Sequence, residues 1–215
     1  MERINRGEIL FLGKIYPLLM LRLAILCLGF CTLSCKSEAP VAPVIDMKDF
    51  VPPAPKEYTF ATTPFWADEF EKDGLPDPAK WGYDVGNSGW GNHELQNYTN
   101  ANIKNAHIEN GVLTIEAIKE TSGSSTYTSA RIVTKGKNDF LYGRIEAKAK
   151  IPAGRGNWPA IWMLGSQSDY GTQFWPDNGE IDILEHVGFD PSVMHFSVHT
   201  KSFNHVIGTQ KTSTT

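Results

Sequence analysis

From Phe60 onward apolar residues recur at every second position, and no stretch sustains the spacing of three and four that an amphipathic helix needs. Alternation sends successive side chains to opposite faces of a strand, so this chain has to build its core from sheets. Ala106–Glu109 and Val112–Ile118 flank Asn110-Gly111, two residues that tolerate positive φ and therefore close a tight hairpin. Tyr142, Arg144, Glu146, Lys148 and Lys150 alternate with Gly143, Ile145, Ala147, Ala149 and Ile151, giving one polar face and one small or apolar face. In Val193–Thr200, His195, Ser197 and His199 point one way and Met194, Phe196 and Val198 the other. No internal repeat is present. Several strands punctuated by Gly, Asn and Pro turns predict an all-β sandwich or barrel.

The 215 residues leave room for one domain and a leader. Leu23–Ser34 is a run of twelve mostly apolar residues preceded by Lys14 and Arg22, too short to cross a bilayer and the size of a signal-peptide core. Ser34 before Cys35 resembles a lipoprotein processing site, although Thr32 stands where an aliphatic residue is usual; a plain signal peptide is the alternative. Residues 1–35 are therefore expected to be a signal peptide of the lipoprotein type, with Met20 as an alternative start. Residues 36–59 carry five prolines and no hydrophobic periodicity, the composition of an extended linker, which leaves 60–215 for the folded domain. The expected location is the outer membrane or cell surface, otherwise the periplasm or the medium, with membrane contact only through a lipid anchor.

All three cysteines, Cys27, Cys31 and Cys35, fall in the leader, which excludes a disulfide framework and a thiolate metal site from the domain. The net charge is −4 and no Lys/Arg run exists, so a nucleic-acid partner is excluded too. Six Trp, seven Tyr and eleven Phe suit a large β-rich core, or a site that stacks on flat faces.

The chemistry concentrates in Asn178–His186, NGEIDILEH. On a regular strand Glu180 and Asp182 share a face while Ile181 and Ile183 enter the core. Strict alternation would then place Leu184 beside the acids and bury Glu185 unpaired in apolar surroundings, which is costly. One extra residue, a β-bulge, restores the parity and returns Glu185 to the acidic face. Three crowded carboxylates repel, so at least one should hold its proton near neutral pH. Retaining glycoside hydrolysis has that requirement: one carboxylate attacks the anomeric carbon and a second protonates the leaving oxygen, the two about 5–5.5 Å apart. A solvated acidic face or a calcium site with oxygen ligands would use the same residue types.

Aromatic residues stand around this strand. Trp158, Ala160, Trp162 and Leu164 fall on one face of a strand, where two Trp rings can line a groove or fill a core. Trp90 sits in the glycine-flanked loop Ser88–Asn92, where a binding role is more natural than a core one.

Gly179–Glu185 resembles the E-I-D-x-x-E signature of glycoside hydrolase family 16, and Trp90–Thr99, Gly154–Leu164 and Val198–Thr200 are similar to blocks of its laminarinase-type members. The resemblance runs from about Trp66 to the last residue. It implies a β-jelly-roll sandwich of two antiparallel sheets with a concave substrate cleft. It also implies endo-acting, retaining cleavage of β-1,3-glucan (laminarin), with mixed-linkage β-1,3/1,4-glucan as a further substrate. By the same resemblance Glu180 is the nucleophile, Glu185 the general acid/base and Asp182 the assisting carboxylate. Trp90, Asn92, Arg131, Trp158, Trp162 and His199 fall on cleft-lining, substrate-binding positions. Arg131 equally suits a surface ion pair, His199 a hydrogen-bonded cleft-edge or core histidine, and Trp175 either a further platform or loop packing. The implied chemistry requires no cofactor. A structural calcium ion on the convex face fits the family, with its ligands unassigned. The implied partner is a polysaccharide, and the protein is expected to be a monomer.

The Ile183-Leu184 spacing favours laminarinase, agarase or carrageenan-type members over relatives with a shorter E-x-D-x-E form, and the WGN-x-E-L-Q block favours glucan over galactan. A hydrolase of red-algal galactans and a non-catalytic glucan-binding fragment are the competing readings. Family domains continue for several strands beyond the region matching Val198–Thr200. The C-terminal strands are therefore expected to be missing, which would leave Met194, Phe196 and Val198 without partners and the chain aggregation-prone and weakly active.

Overall fold

Asn110 and Gly111 take φ of 53° and 75°, the two positive values a tight hairpin turn demands of its central residues. Around them the computed structural model describes residues 57–215 together with one strand, β1, at Gly13–Pro17. Leu23–Ser34, Cys35 and nearly all of the linker lie outside the described residues. The other strands are β2 (Trp66–Asp68), β3 (Gly82–Asp84), β4 (Gln96–Tyr98), β5 (Ala106–Glu109), β6 (Val112–Ile115), β7 (Tyr127–Ser129) and β8 (Arg131–Val133). They continue with β9 (Gly143–Glu146), β10 (Ala160–Leu164), β11 (Glu180–Glu185), β12 (His195–His199) and β13 (Lys211–Thr214). Helical structure among the described residues is limited to single turns at Phe174–Asp177 and His205–Ile207.

The largest sheet has the order β10-β11-β12-β13 and is antiparallel throughout. A second has the order β2-β1-β9, and β3-β8, β4-β7 and β5-β6 form pairs. The β4-β7 pair is parallel, where an antiparallel arrangement is expected throughout. Parallel neighbours need a long connection between them, and here the β5–β6 hairpin supplies it.

A small core sits beneath that hairpin. Phe70, Ile108 and Leu113 are buried, with Trp81, Ile115 and Ile132 packed against them. Asp68 ties the layer together: its carboxylate accepts the Trp81 indole N–H at 2.7 Å, the Lys80 ammonium at 3.0 Å and the Phe70 amide at 3.2 Å. Asn105, fully buried, donates to Glu116 O and Thr128 Oγ1 and accepts from the Thr99 hydroxyl, so burial leaves neither end of its amide unbonded.

Two expected strands are shorter than their patterns. The alternation of Tyr142–Ile151 is paired only over Gly143–Glu146, because β1 offers partners only from Pro17, opposite Gly143, to Lys14, opposite Glu146. Likewise β6 stops at Ile115, and Ile118 makes an isolated bridge to Thr128. The apolar face of β11 and β12 also differs from the expected core. Ile181 is 47% exposed and Val198 41% exposed, on the rim of an open groove that Phe196 also lines, because the described residues pack no full layer over that face.

Leu113 has no exposed surface and contributes to the one buried apolar cluster of the hairpin region. Leu113→Ala should lower the free energy of unfolding by about 2–5 kcal/mol, through lost burial and the cavity left behind. Urea titration followed by tryptophan fluorescence measures it; a midpoint unchanged from the parent chain would contradict this account of the core.

Candidate active site

The face that each acid occupies is set by strand register. On β10, Ala160 pairs with Glu185, Ile161 with Leu184, Trp162 with Asp182 and Leu164 with Glu180. Ile183 is skipped, which makes it the extra residue of a β-bulge. Ala160, Trp162 and Leu164 share one face of β10, and directly paired residues share a face, so Glu180, Asp182 and Glu185 lie together. The other neighbour agrees: Glu180 pairs with His199, Asp182 with Ser197 and Glu185 with His195, with the shift again between Asp182 and Glu185.

Burial differs along the trio. Asp182 is 4% exposed, while Glu180 and Glu185 are partly buried. Desolvation, then the charges of Glu180 and Glu185, then a side-chain hydrogen bond with Glu180, push the Asp182 carboxyl up to about 8. Asp182 therefore carries a proton at neutral pH between two acids. His199, also buried, stands with Nε2 3.2 Å from Asp182 Oδ2.

Each outer acid receives an indole N–H. Trp158 Nε1 donates to Glu185 Oε1 at 3.0 Å, and Trp175 Nε1 donates to Glu180 Oε2. Local structure holds both rings in place. The segment carrying Trp158 is pinned by the His186 amide on Pro159 O and the Gly188 amide on Asn157 O. The loop carrying Trp175 is closed by Asp177, whose Oδ2 accepts the Thr172 and Gln173 amides, and by Asn178, which accepts the Tyr170 amide and donates to Phe174 O. Glutamine, aspartate and asparagine near the turn give no sequence sign of this aim. Trp175 thus reaches Glu180 through its N–H, while its ring packs 4.9 Å from that of His205 and 6.1 Å from that of His199.

A second group adjoins the first through Trp162, the cross-strand partner of Asp182. The Arg131 guanidinium lies 4.4 Å from the Trp162 ring centroid and 4.5 Å from that of Trp90, held between the two indoles. Arg131 also makes an ion pair with Asp84, Nε to Oδ2 at 3.1 Å, and the two are direct partners across β3 and β8. One face of each Trp is therefore occupied by the cation, and only the remaining surface is open to a ligand. Trp90 adopts a positive φ of 49° and donates its indole N–H to Gly86 O, next to Tyr98. Burial pushes the Tyr98 phenol up, and its hydroxyl donates to Glu94. Asn92 is exposed and turns its amide toward Glu94 at 3.4 Å, knitting its own loop. Asp84 and Glu94 escape a reading of spacing, since only the strand register shows which charged residue meets Arg131.

Among the described residues, Glu180, Asp182 and His199 form the one group whose ligand atoms converge within 4.8 Å, as a metal ion would need.

Residues 92–214 match the model of glycosyl hydrolases family 16. A β-glucanase of Rhodothermus marinus is 60% identical over 146 residues, which cover 68% of this chain and 51% of the relative. The X-ray structure of the laminarinase from Rhodothermus marinus superposes with a TM-score of 0.69 at 59% identity, over 70% of this chain and 60% of that one. A non-specific endo-β-1,3(4)-glucanase, crystallised with 1,3-β-D-cellotriosyl-glucose, gives a TM-score of 0.66 at 45% identity, again over 70% and 60% of the two chains. The chain thus spans about half the length of the curated relative and three fifths of the solved ones.

Asp182 generates a pH-dependent stability term. Its folded carboxyl, about 8, lies above the ordinary value of 3.8, so its contribution is fully present below that value and is lost as pH rises through about 8. Asp182→Asn removes this titration. The parent should therefore lose stability relative to the Asn variant as pH is raised across that window. Paired thermal melts in one buffer series test this; parallel curves would contradict it.

Proposed function

Because the chain belongs to glycosyl hydrolases family 16, we propose that it hydrolyses β-1,3-glucan internally with retention of anomeric configuration, and mixed-linkage β-1,3/1,4-glucan as well. The observation that carries the reading is the bulge in β11, which brings Glu180, Asp182 and Glu185 to one sheet face with Asp182 protonated between them. The β-glucanase, laminarinase and non-specific glucanase relatives support this substrate class.

In this reading Glu180 attacks the anomeric carbon as a carboxylate, and Glu185, entering the step protonated, delivers that proton to the leaving glycosidic oxygen. Water then enters from the side of Glu185, which has become a base, and the glycosyl–Glu180 ester is cleaved with a second inversion. The Trp175 N–H fixes one carboxylate oxygen of Glu180 and leaves the other free to attack. Trp158 orients Glu185 in the same manner. Asp182, neutral, adds no negative charge beside Glu180, and its hydrogen bond to Glu180 favours the carboxylate that re-forms there when the glycosyl ester is cleaved. The chemistry runs on carboxylates and water, without a cofactor. Trp90, Trp162 and Trp158 offer ring faces for sugar C–H surfaces, with Arg131, Asn92 and His199 supplying polar contacts along the cleft.

The same reading includes export, with lipid attached at Cys35; the apolar run Leu23–Ser34 and the Pro-rich spacer support it, and removal of the residues before Cys35 would take β1 out of the β2-β1-β9 sheet. Mass spectrometry of membrane fractions should find a diacylglyceryl-modified N-terminus at Cys35, and a soluble mature chain starting elsewhere would replace the anchor with a plain signal peptide.

For catalysis, Glu185→Gln should reduce laminarin turnover by roughly 10²–10⁴-fold, the range of a lost general acid, and Glu180→Gln at least as much, with unchanged circular dichroism. Proton NMR of early products should show the β-anomer and oligosaccharides rather than glucose, with agarose untouched. An inverted anomer, or near-parental turnover in either variant, would overturn the assignment.

A further inference from the structure

We propose that Glu180, Asp182 and His199 form a binding site for a single zinc-type transition-metal ion, and that an ion held there blocks the hydrolase. The three side chains bring one ligand atom each within 4.8 Å of one another. Within that cluster, His199 Nε2 and Asp182 Oδ2 are 3.2 Å apart. Two ligands of a tetrahedral zinc ion, bound at about 2.0–2.2 Å, lie about 3.3 Å from each other, so this edge is already at the required length. The Glu180 carboxylate supplies the third ligand atom from within the same 4.8 Å cluster, leaving the fourth position open.

A second observation points to a ligand. Asp182 Oδ2 is buried and receives no hydrogen bond, although the residue is only 4% exposed. It faces His199 Nε2 inside the cluster. His199 Nδ1 is likewise buried without a hydrogen bond, which leaves Nε2 as the nitrogen committed to the cluster.

The donor set selects the ion. One imidazole with two carboxylates suits zinc and its neighbours among the transition metals. Calcium takes six to eight oxygens and magnesium an octahedral shell of oxygens, so neither fits a group of three that includes a nitrogen. Binding the Glu180 oxygen to the metal removes the lone pair that attacks the sugar. The inhibitory half of the proposal rests on the role given to Glu180 above; the binding half does not.

The test uses the full chain and zinc chloride, with affinity read by competition against a chromogenic chelator in the absence of any sugar. One zinc per chain is expected. His199→Asn and Asp182→Asn should each weaken binding at least tenfold, while His205→Gln, whose ring lies 5.3 Å from that of His199, should bind as the parent does. Equal affinity in His199→Asn, or loss in His205→Gln, overturns the site. Cobalt(II) loaded into the unmodified chain makes the test independent of variant folding: strong visible bands of a four- or five-coordinate ion support it, and a weak octahedral spectrum overturns it. Laminarin hydrolysis should fall with the same half-saturating zinc concentration and return on chelation, whereas calcium and magnesium leave it unchanged. Zinc bound at this site with full hydrolysis overturns the inhibitory half, and absence of any glucanase activity counts against the proposed function without touching the binding result.

Discussion

Ile183 has no partner on β10: Ile161 faces Leu184 and Trp162 faces Asp182, so one residue is pushed out of the ladder and the parity of everything beyond it is reversed. Without the bulge Glu185 would project with Ile181, on the face that carries Phe196 and Val198 along an open apolar groove. With it, Glu185 stands opposite Ala160 and His195, within reach of the Trp158 indole. Bulges sharpen local twist and re-aim single side chains, and here one irregularity gathers three acids that a regular strand would divide between two faces.

Gathering them has an electrostatic consequence. Neighbouring carboxylates at close range cannot all remain ionised unless a cation or donors compensate. The adjacent cation, Arg131, is committed to Asp84 and to the faces of Trp90 and Trp162. The outer acids each receive a neutral indole donor, which adds no charge. The most buried member, with the least access to solvent, is then the one to keep its proton. Retaining hydrolysis needs unequal carboxylates, and here inequality follows from position along a single strand.

How much of this the amino-acid sequence disclosed depends on the range of the interaction. The Asn110-Gly111 hairpin is legible because turn chemistry is local, and both residues carry the positive φ that their types permit. The bulge is legible because a buried, unpaired Glu185 would be penalised more than a distorted strand. Strand lengths are less so: the alternation from Tyr142 to Ile151 states a preference, but pairing needs a partner, and β1 reaches only from Gly143 to Glu146. Trp90, Arg131 and Trp162 are each nameable by resemblance, yet their stacking, and Asp84 as the ion-pair partner, depend on the β3–β8 register. Trp175 is least legible of all. Its N–H reaches Glu180 only because Asp177 and Asn178 close the loop that carries it.

The two faces of the β11–β12 ladder invert the usual distribution of polarity. Asp182, Ser197 and His199 are buried at 4%, 7% and 6% exposure, while Ile181 and Val198 on the reverse face are open. Burial of the polar face must therefore come from what is built over it, and two loops supply the cover. The first, between β10 and β11, carries Trp175. The second follows β12, where Asn204 donates to Thr200 O and accepts the Val206 and Ile207 amides, setting a turn that lays His205 4.9 Å from Trp175 and 5.3 Å from His199. Desolvation is the foremost cause of the raised Asp182 carboxyl. The first of these loops also aims the Trp175 indole donor at Glu180, the acidic neighbour of Asp182.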